Sequence, residues 1–351
     1  MMNQLNNGFT LFLSLLVEAI PFLLLGVLFS SLLLLFVDER ALVANMPKNP
    51  LLGAFAGSLI GFLFPVCECG NVPVARRLLM QGVPTPVAIG FLLAAPTVNP
   101  IVIWATWTAF RGQPEIVILR VVFSLFIATI IGYVFSFQKD LTPFLQPPIA
   151  RYLKFNHTNK PEPKRRSKRD QSQSEATSST LLQSGTYFLG GKAGSSVRVD
   201  GNLMQANEPN SPSKPHADKM RLLLDNIVQE LRELGAVMVV GSAIAAAIQV
   251  LVPRDLILSL GAGPVSSITA MLILATIVSI CSTVDSFFAL SFASTFTSGS
   301  LLAFLVYGPM VDIKGVGLML TIFKPRTVFY LFGMAGLLTF MLTLFMNLHV
   351  L

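Results

Sequence analysis

The feature that most constrains this 351-residue chain is a set of long stretches with almost no charge, among them Leu11 to Phe36, Leu51 to Val66 and Val328 to Leu348. Runs of about 20 apolar residues cross the hydrocarbon core of a bilayer as helices. Inside lipid, only helices and closed barrels satisfy every backbone polar group. None of these runs alternates with period two, as barrel strands do, so the chain reads as an all-α, polytopic transmembrane helical bundle. Composition agrees: 53% of residues are hydrophobic and 12% charged, where a soluble domain carries about 25% charged residues. Leu11 to Phe36 is the first membrane helix and not a signal peptide, being too long and lacking both a basic front end and a small-residue cleavage site.

Residues 138–221 interrupt the apolar pattern with a segment rich in Lys, Arg, Ser, Gln and Pro, the composition of a disordered linker. They hold 14 Lys/Arg against 7 Asp/Glu, a net +7 that equals the net charge of the whole chain. The basic balance is therefore a property of one loop. Nucleic-acid binding explains it poorly. The positive-inside bias explains it better and puts the loop in the cytoplasm, with Arg76 and Arg77 on the same side; contact with anionic lipid is the bland alternative. The chain thus divides into a first transmembrane half (1–138), a basic cytoplasmic linker (139–221) and a second transmembrane half (222–351).

The halves resemble each other. Each opens with an acid-bearing apolar helix, carrying Glu18 in one and Glu230 and Glu233 in the other. These three acids read as interfacial. Each half then has a helix ending in cysteine, Phe64-Pro-Val-Cys-Glu-Cys-Gly-Asn71 and Val278-Ser-Ile-Cys-Ser-Thr-Val-Asp285. Each later has a proline break, Ala95-Pro-Thr-Val-Asn-Pro100 and Tyr307-Gly-Pro-Met-Val-Asp312. Cys67 to Pro96 is 29 positions and Cys281 to Pro309 is 28. Such internal repeats are typical of secondary transporters. A coarse reading gives about eight spans: 9–36, 51–82, 85–111, 116–138, 222–252, 264–297, 298–323 and 326–348. Eight spans put both termini and the linker on one side. If the broken segments are instead re-entrant hairpins, the count approaches ten and the repeats can be inverted. Gly53, Gly57 and Gly61 share one helix face and predict close helix packing.

Four polar breaks, Cys67–Asn71, Pro96–Asn99, Cys281–Asp285 and Pro309–Asp312, interrupt the membrane segments. Proline frees carbonyls from the helical ladder, and unwound backbone at membrane depth survives only when buried in protein or lining a cavity. Together the breaks predict a substrate site built from Cys67, Glu68, Cys69, Asn71, Pro96, Asn99, Cys281, Asp285, Pro309 and Asp312. Burial disfavours a charged Asp285 or Asp312 unless each is paired, so a carboxyl group there suits proton coupling or cation binding; the bland reading is a helix end reaching water. Asn71 and Asn99 serve either substrate or helix-helix contact. Cys67, Cys69 and Cys281 form a candidate soft-metal or metalloid ligand set; the plainer alternative is cysteine as a small buried apolar residue. The three histidines lie in loops or at the chain end, so no histidine metal site is expected in the membrane. No cofactor is implied, and no nucleotide-binding motif suggests an ATP-driven motor.

The segments Phe64-Pro-Val-Cys-Glu-Cys-Gly-Asn-Val-Pro73, Gly82-Val-Pro84 and Phe91-Leu-Leu-Ala-Ala-Pro-Thr-Val-Asn-Pro100 resemble the signature of a family of largely uncharacterised predicted permeases that includes the organoarsenical efflux permease ArsP. The resemblance covers both apolar halves and excludes the linker. It implies an inner-membrane permease of about eight spans and efflux of trivalent organoarsenicals. Glu68 departs from the small polar residue at that place in the family's Cys-x-Cys motif, and an acid between two thiols alters charge preference. The leading reading is a secondary permease exporting a small solute, such as a thiophilic metal or metalloid, and not an enzyme. The rivals are the membrane subunit of a larger complex and, further off, a membrane-embedded enzyme using Asp285 and Asp312. Partners are the lipid bilayer and a small solute; a homo-oligomer or a partner subunit stays open.

Overall fold

A computed structural model describes residues 2–36, 46–47, 49–63, 67–137, 144–146, 216–251 and 263–349. Among them all regular structure is helical, apart from one isolated bridge between Leu145 and Phe323. Before the linker come α1 (Met2–Phe36), α2 (Pro50–Ile60) with a 3₁₀ turn Gly61–Leu63, α3 (Glu68–Met80), α4 (Thr85–Val98), α5 (Pro100–Ala109) and α6 (Pro114–Ser136). After it come α7 (His216–Leu251), α8 (Pro264–Val278), α9 (Asp285–Leu290), α10 (Ser298–Tyr307), α11 (Ile313–Met319) and α12 (Pro325–His349). Pro50, Pro100, Pro114, Pro264 and Pro325 each open a helix, where a missing N–H costs nothing and the fixed φ is already helical.

Among the described residues, five stretches are long and apolar enough to cross a membrane: Asn6–Leu32, Thr85–Ala109, Pro114–Ser136, Leu223–Leu251 and Pro325–His349. The chain is a multi-pass membrane protein. The expected eight spans are not matched one for one, because α2, α8 and α10 are shorter apolar helices. The four expected breaks all appear. Cys67 is extended ahead of α3, and Asn99 is extended between α4 and α5. Ser279 ends α8 in the left-handed region at φ 48°, and Asp312 is extended ahead of α11.

Contacts fix the helix directions. Gly8 faces Val250, Leu15 packs with Ala245 and Ala246, and the Ser30 hydroxyl donates to Glu230 at 3.3 Å, so α1 and α7 run antiparallel. Gly53 faces Val87 and Gly61 faces Ala95, so α2 runs parallel to α4. The intervening α3 therefore carries the chain back to the level where α4 begins, and α2–α3 is a hairpin with Cys67 at its tip. Gly57 sits so close to the Val87 carbonyl that no Cβ fits there, which bears out the expected glycine face. After the linker, the ends of α8 and α10 meet where Ala275 faces Gly308, and α10 is antiparallel to α12, with Gly299 at Asn347 and Gly336 at Tyr307. α3 packs on α11 and α5 on α9, so helices on the two sides of the linker are in contact at both places.

Most of the basic linker lies outside the described residues. Of its first part, Phe144 to Gln146 are docked beside the start of α12: the Lys324 amide donates to the Phe144 carbonyl at 2.8 Å and the Gln146 amide to the Ile322 carbonyl at 2.9 Å. His216 to Arg221 already belong to α7.

Candidate functional site

The two cysteine breaks meet. The Cys67 sulfur, a Glu68 carboxylate oxygen and the Cys281 sulfur all lie within 4.8 Å of one another. Cys69 follows Cys67 in the first turn of α3, and the Thr283 hydroxyl donates to the Cys281 sulfur at 3.6 Å. All three thiols are free and buried. The cluster exists because the chain is extended at Cys67, which points Glu68 and Cys69 into the first turn of α3, while the left-handed turn at Ser279 delivers Cys281 to the same place.

Further buried ionisable side chains lie on α3 and at the head of α11, which packs against it. Lys314, on the first turn of α11, is 1% exposed. Asp312 caps its own helix, one oxygen accepting from the Gly315 amide at 2.7 Å. Its other oxygen, Glu68 Oε2 and Glu18 Oε1 are buried with no hydrogen-bond partner among the described residues. The Ser279 hydroxyl accepts from the Ile313 amide at 3.1 Å, tying the end of α8 to the start of α11.

Asp285 stands apart from this cluster, in a buried ion pair. Arg120 of α6 holds it through both nitrogens, at 2.6 Å and 3.2 Å. The same guanidinium donates to Thr106 at 2.7 Å and Ser286 at 2.8 Å. Asn71 and Pro96 form a structural pair. Pro96 has no N–H for the carbonyl four residues back, and the Asn71 amide takes over that Leu92 carbonyl at 2.6 Å. Asn99 caps α5 through the Ile101 amide at 2.9 Å. Pro309 lies in the turn between α10 and α11. Of the ten site residues read from the sequence, the fold brings together Cys67, Glu68 and Cys281; Cys69 follows in the first turn of α3, Asp312 precedes the Ile313 amide that is tied to Ser279 at the end of α8, and the other five serve the breaks around them. At the far end of α3, Arg76 pairs with Glu233 at 3.2 Å, three residues after Glu230, which accepts from Ser30.

Sequence reasoning missed Arg120 and Lys314. A signal was present, since each is a lone cation in an apolar segment, and an ionisable residue at membrane depth is a functional candidate by default.

A family profile described as a predicted permease, ArsP_1, matches residues 4–348. The chain belongs to this predicted-permease family. Among the relatives of this permease is the UPF0718 protein YcgR of Bacillus subtilis, 37% identical over 328 residues, which are 93% of this chain and 92% of that one. Another is a protein of Streptococcus mutans described as a putative two-component membrane permease complex subunit, 30% identical over 328 residues, 93% of this chain and 91% of that one. No solved structure matches the permease significantly.

Proposed function

We propose that this protein is a secondary permease that exports a small thiophilic solute, a metal or metalloid species such as a trivalent organoarsenical, across the inner (plasma) membrane. The observation that carries the reading is the meeting of Cys67, Glu68 and Cys281 within 4.8 Å, from two breaks on opposite sides of the linker. Cys67, Cys69 and Cys281 supply soft ligands. Glu68 and Asp312 supply polar contacts, while Asn71, Asn99, Pro96 and Pro309 keep the breaks open. Asp285 positions the second break through Arg120.

Two homologous halves of opposite orientation account for this site. The antiparallel pairing of α1 with α7 supports an inverted repeat with its pseudo-two-fold axis in the membrane plane. In that arrangement α1, α4–α5, α6, α7, α10–α11 and α12 cross the bilayer. The hairpins α2–α3 and α8–α9 then enter from opposite faces and meet at mid-depth, where discontinuous helices of transporters bind substrate. Arg76, Arg77 and the linker share one face, which the positive-inside bias makes cytoplasmic.

Uptake into everted membrane vesicles of methylarsenite, arsenite, zinc and copper, with and without a proton gradient, tests the reading. Gradient-dependent accumulation of one member is expected. Cys67→Ser with Cys281→Ser should reduce it by about tenfold or more, since even a supporting contact at a metal-type site is worth about 10–100-fold. Unchanged uptake in the double variant, at equal protein level, removes the cysteines from the mechanism. The Streptococcus relative's description as a complex subunit favours a second reading, a permease with a partner subunit. Stoichiometric recovery of a second polypeptide with the tagged protein would establish it.

A further inference from the structure

The third ligand atom grouped with the Cys67 and Cys281 sulfurs is an oxygen of Glu68, not the Cys69 sulfur, and all three lie within 4.8 Å of one another. A tetrahedral zinc ion, bound at about 2.3 Å to sulfur and about 2.1 Å to oxygen, needs ligand atoms roughly 3.6–3.8 Å apart. The three atoms are thus gathered on the scale of one ion. Backbone hydrogen bonds hold them there. The Cys67 carbonyl accepts from the Gly70 and Asn71 amides at 3.1 Å, and the Cys281 carbonyl accepts from the Val284 and Asp285 amides at 2.9 and 3.0 Å. Each cysteine therefore stands at the head of a hydrogen-bonded turn, one on each side of the linker, and Glu68 is the first residue of α3. Glu68 is 7% exposed, and its Oε2 is buried without a hydrogen-bond partner among the described residues. A buried carboxylate oxygen with no donor is unfavourable, and a thiol is only a weak donor. A cation among the three atoms satisfies it.

We propose that Glu68 is the third ligand of a two-sulfur, one-carboxylate cation site, and that it selects a divalent metal ion of the zinc class from among thiophilic solutes. Two thiolates with a carboxylate suit zinc or cadmium, whereas copper(I) favours sulfur alone and magnesium favours oxygen alone. Three protein ligands leave the fourth tetrahedral position open, as a site that must take up and release its ion requires. Each thiol gives its proton to solution as the metal binds. Methylarsenite makes a different demand. It exchanges two hydroxyl groups for two sulfurs, releases two waters and keeps its methyl group, so its three bonds are filled without Glu68. Glu68 thus contributes to binding the ion and not the arsenical. The inference rests on the thiophile reading above and narrows it to one substrate class.

Purified full-length wild type, Glu68→Gln and Cys67→Ser test it, with zinc, cadmium and methylarsenite as probes. X-ray absorption at the zinc edge of zinc-loaded wild type should show two sulfur neighbours at about 2.3 Å and oxygen at about 2.0–2.2 Å. Three sulfur neighbours would put Cys69 in the place of Glu68 and overturn the inference, a result that needs no variant to fold. Glu68→Gln should bind zinc and cadmium about tenfold or more weakly and methylarsenite as wild type does. Cys67→Ser should weaken all three. A Glu68→Gln protein that loses methylarsenite as much as cadmium, or loses neither, overturns the inference, while weakened binding by Cys67→Ser still upholds the thiophile reading. Oxygen neighbours alone around zinc, or no binding of any probe by wild type, overturn both.

Discussion

At the residue scale the strongest interaction is the Arg120–Asp285 pair, nearly sealed from solvent on both sides. Breaking a buried pair by removing one partner leaves an uncompensated charge, whereas removing both is often tolerated. Arg120→Met should therefore cost about 3–5 kcal/mol in unfolding free energy, and Arg120→Met/Asp285→Asn should recover most of that. Denaturant titration of the purified variants decides it; a double variant as damaged as the single one would mean the arginine matters for its packing alone. The cysteines and Asp312 were legible in the sequence because proline and cysteine spell out the breaks locally. Arg120 was not singled out because its partner lies far along the chain, 165 positions away at Asp285. A cation among apolar residues announces itself, but not whom it faces. Asn71 shows the converse. Its type suggested substrate contact, while the Leu92 carbonyl it satisfies is an acceptor left open by Pro96, a pairing visible only once α3 lies beside α4.

At the scale of elements, helix existence was readable from hydropathy and starting points from proline. Whether α2 and α3 form one broken crossing or a hairpin was not, because both arrangements bury the same residues. The decision rests on the glycine face of α2, whose positions match α4 in ascending order. Gly57 is the tightest of these contacts. A Gly57→Val substitution pushes α2 off α4 and should destabilise the protein by about 1–3 kcal/mol, the usual cost of overpacking. Gly235→Ala, where nothing lies within 4 Å, should be neutral or slightly stabilising through helix propensity. Thermal unfolding of the two variants side by side separates a steric effect from a general intolerance of glycine replacement. Equal behaviour of the pair would argue against close α2–α4 packing.

For the whole molecule, the proposed inverted arrangement would place both termini on the face opposite the linker, whereas eight through-going spans would put all three on one face. Reporter domains fused at either end and within the linker, read in whole cells and in everted vesicles, distinguish these. The termini and the linker should report opposite compartments; a common compartment would sink the inverted repeat and with it the meeting of hairpins from two faces. Composition could not have settled this, since the excess positive charge sits in the linker and the remainder of the chain is balanced. The proposed orientation rests on which helices run against each other.

The distance in sequence between Arg120 and Asp285 also has a meaning in time. During synthesis Arg120 emerges 165 residues before the acid that will neutralise it. At about 5–20 residues per second, that leaves a guanidinium waiting for roughly 8–30 s. Helix α6 must pass that interval either at the edge of the insertion machinery or with its charge drawn toward the headgroups. The first half of this protein is thus an unfinished object when it is made, and the ribosome's progress through the linker sets how long it remains so.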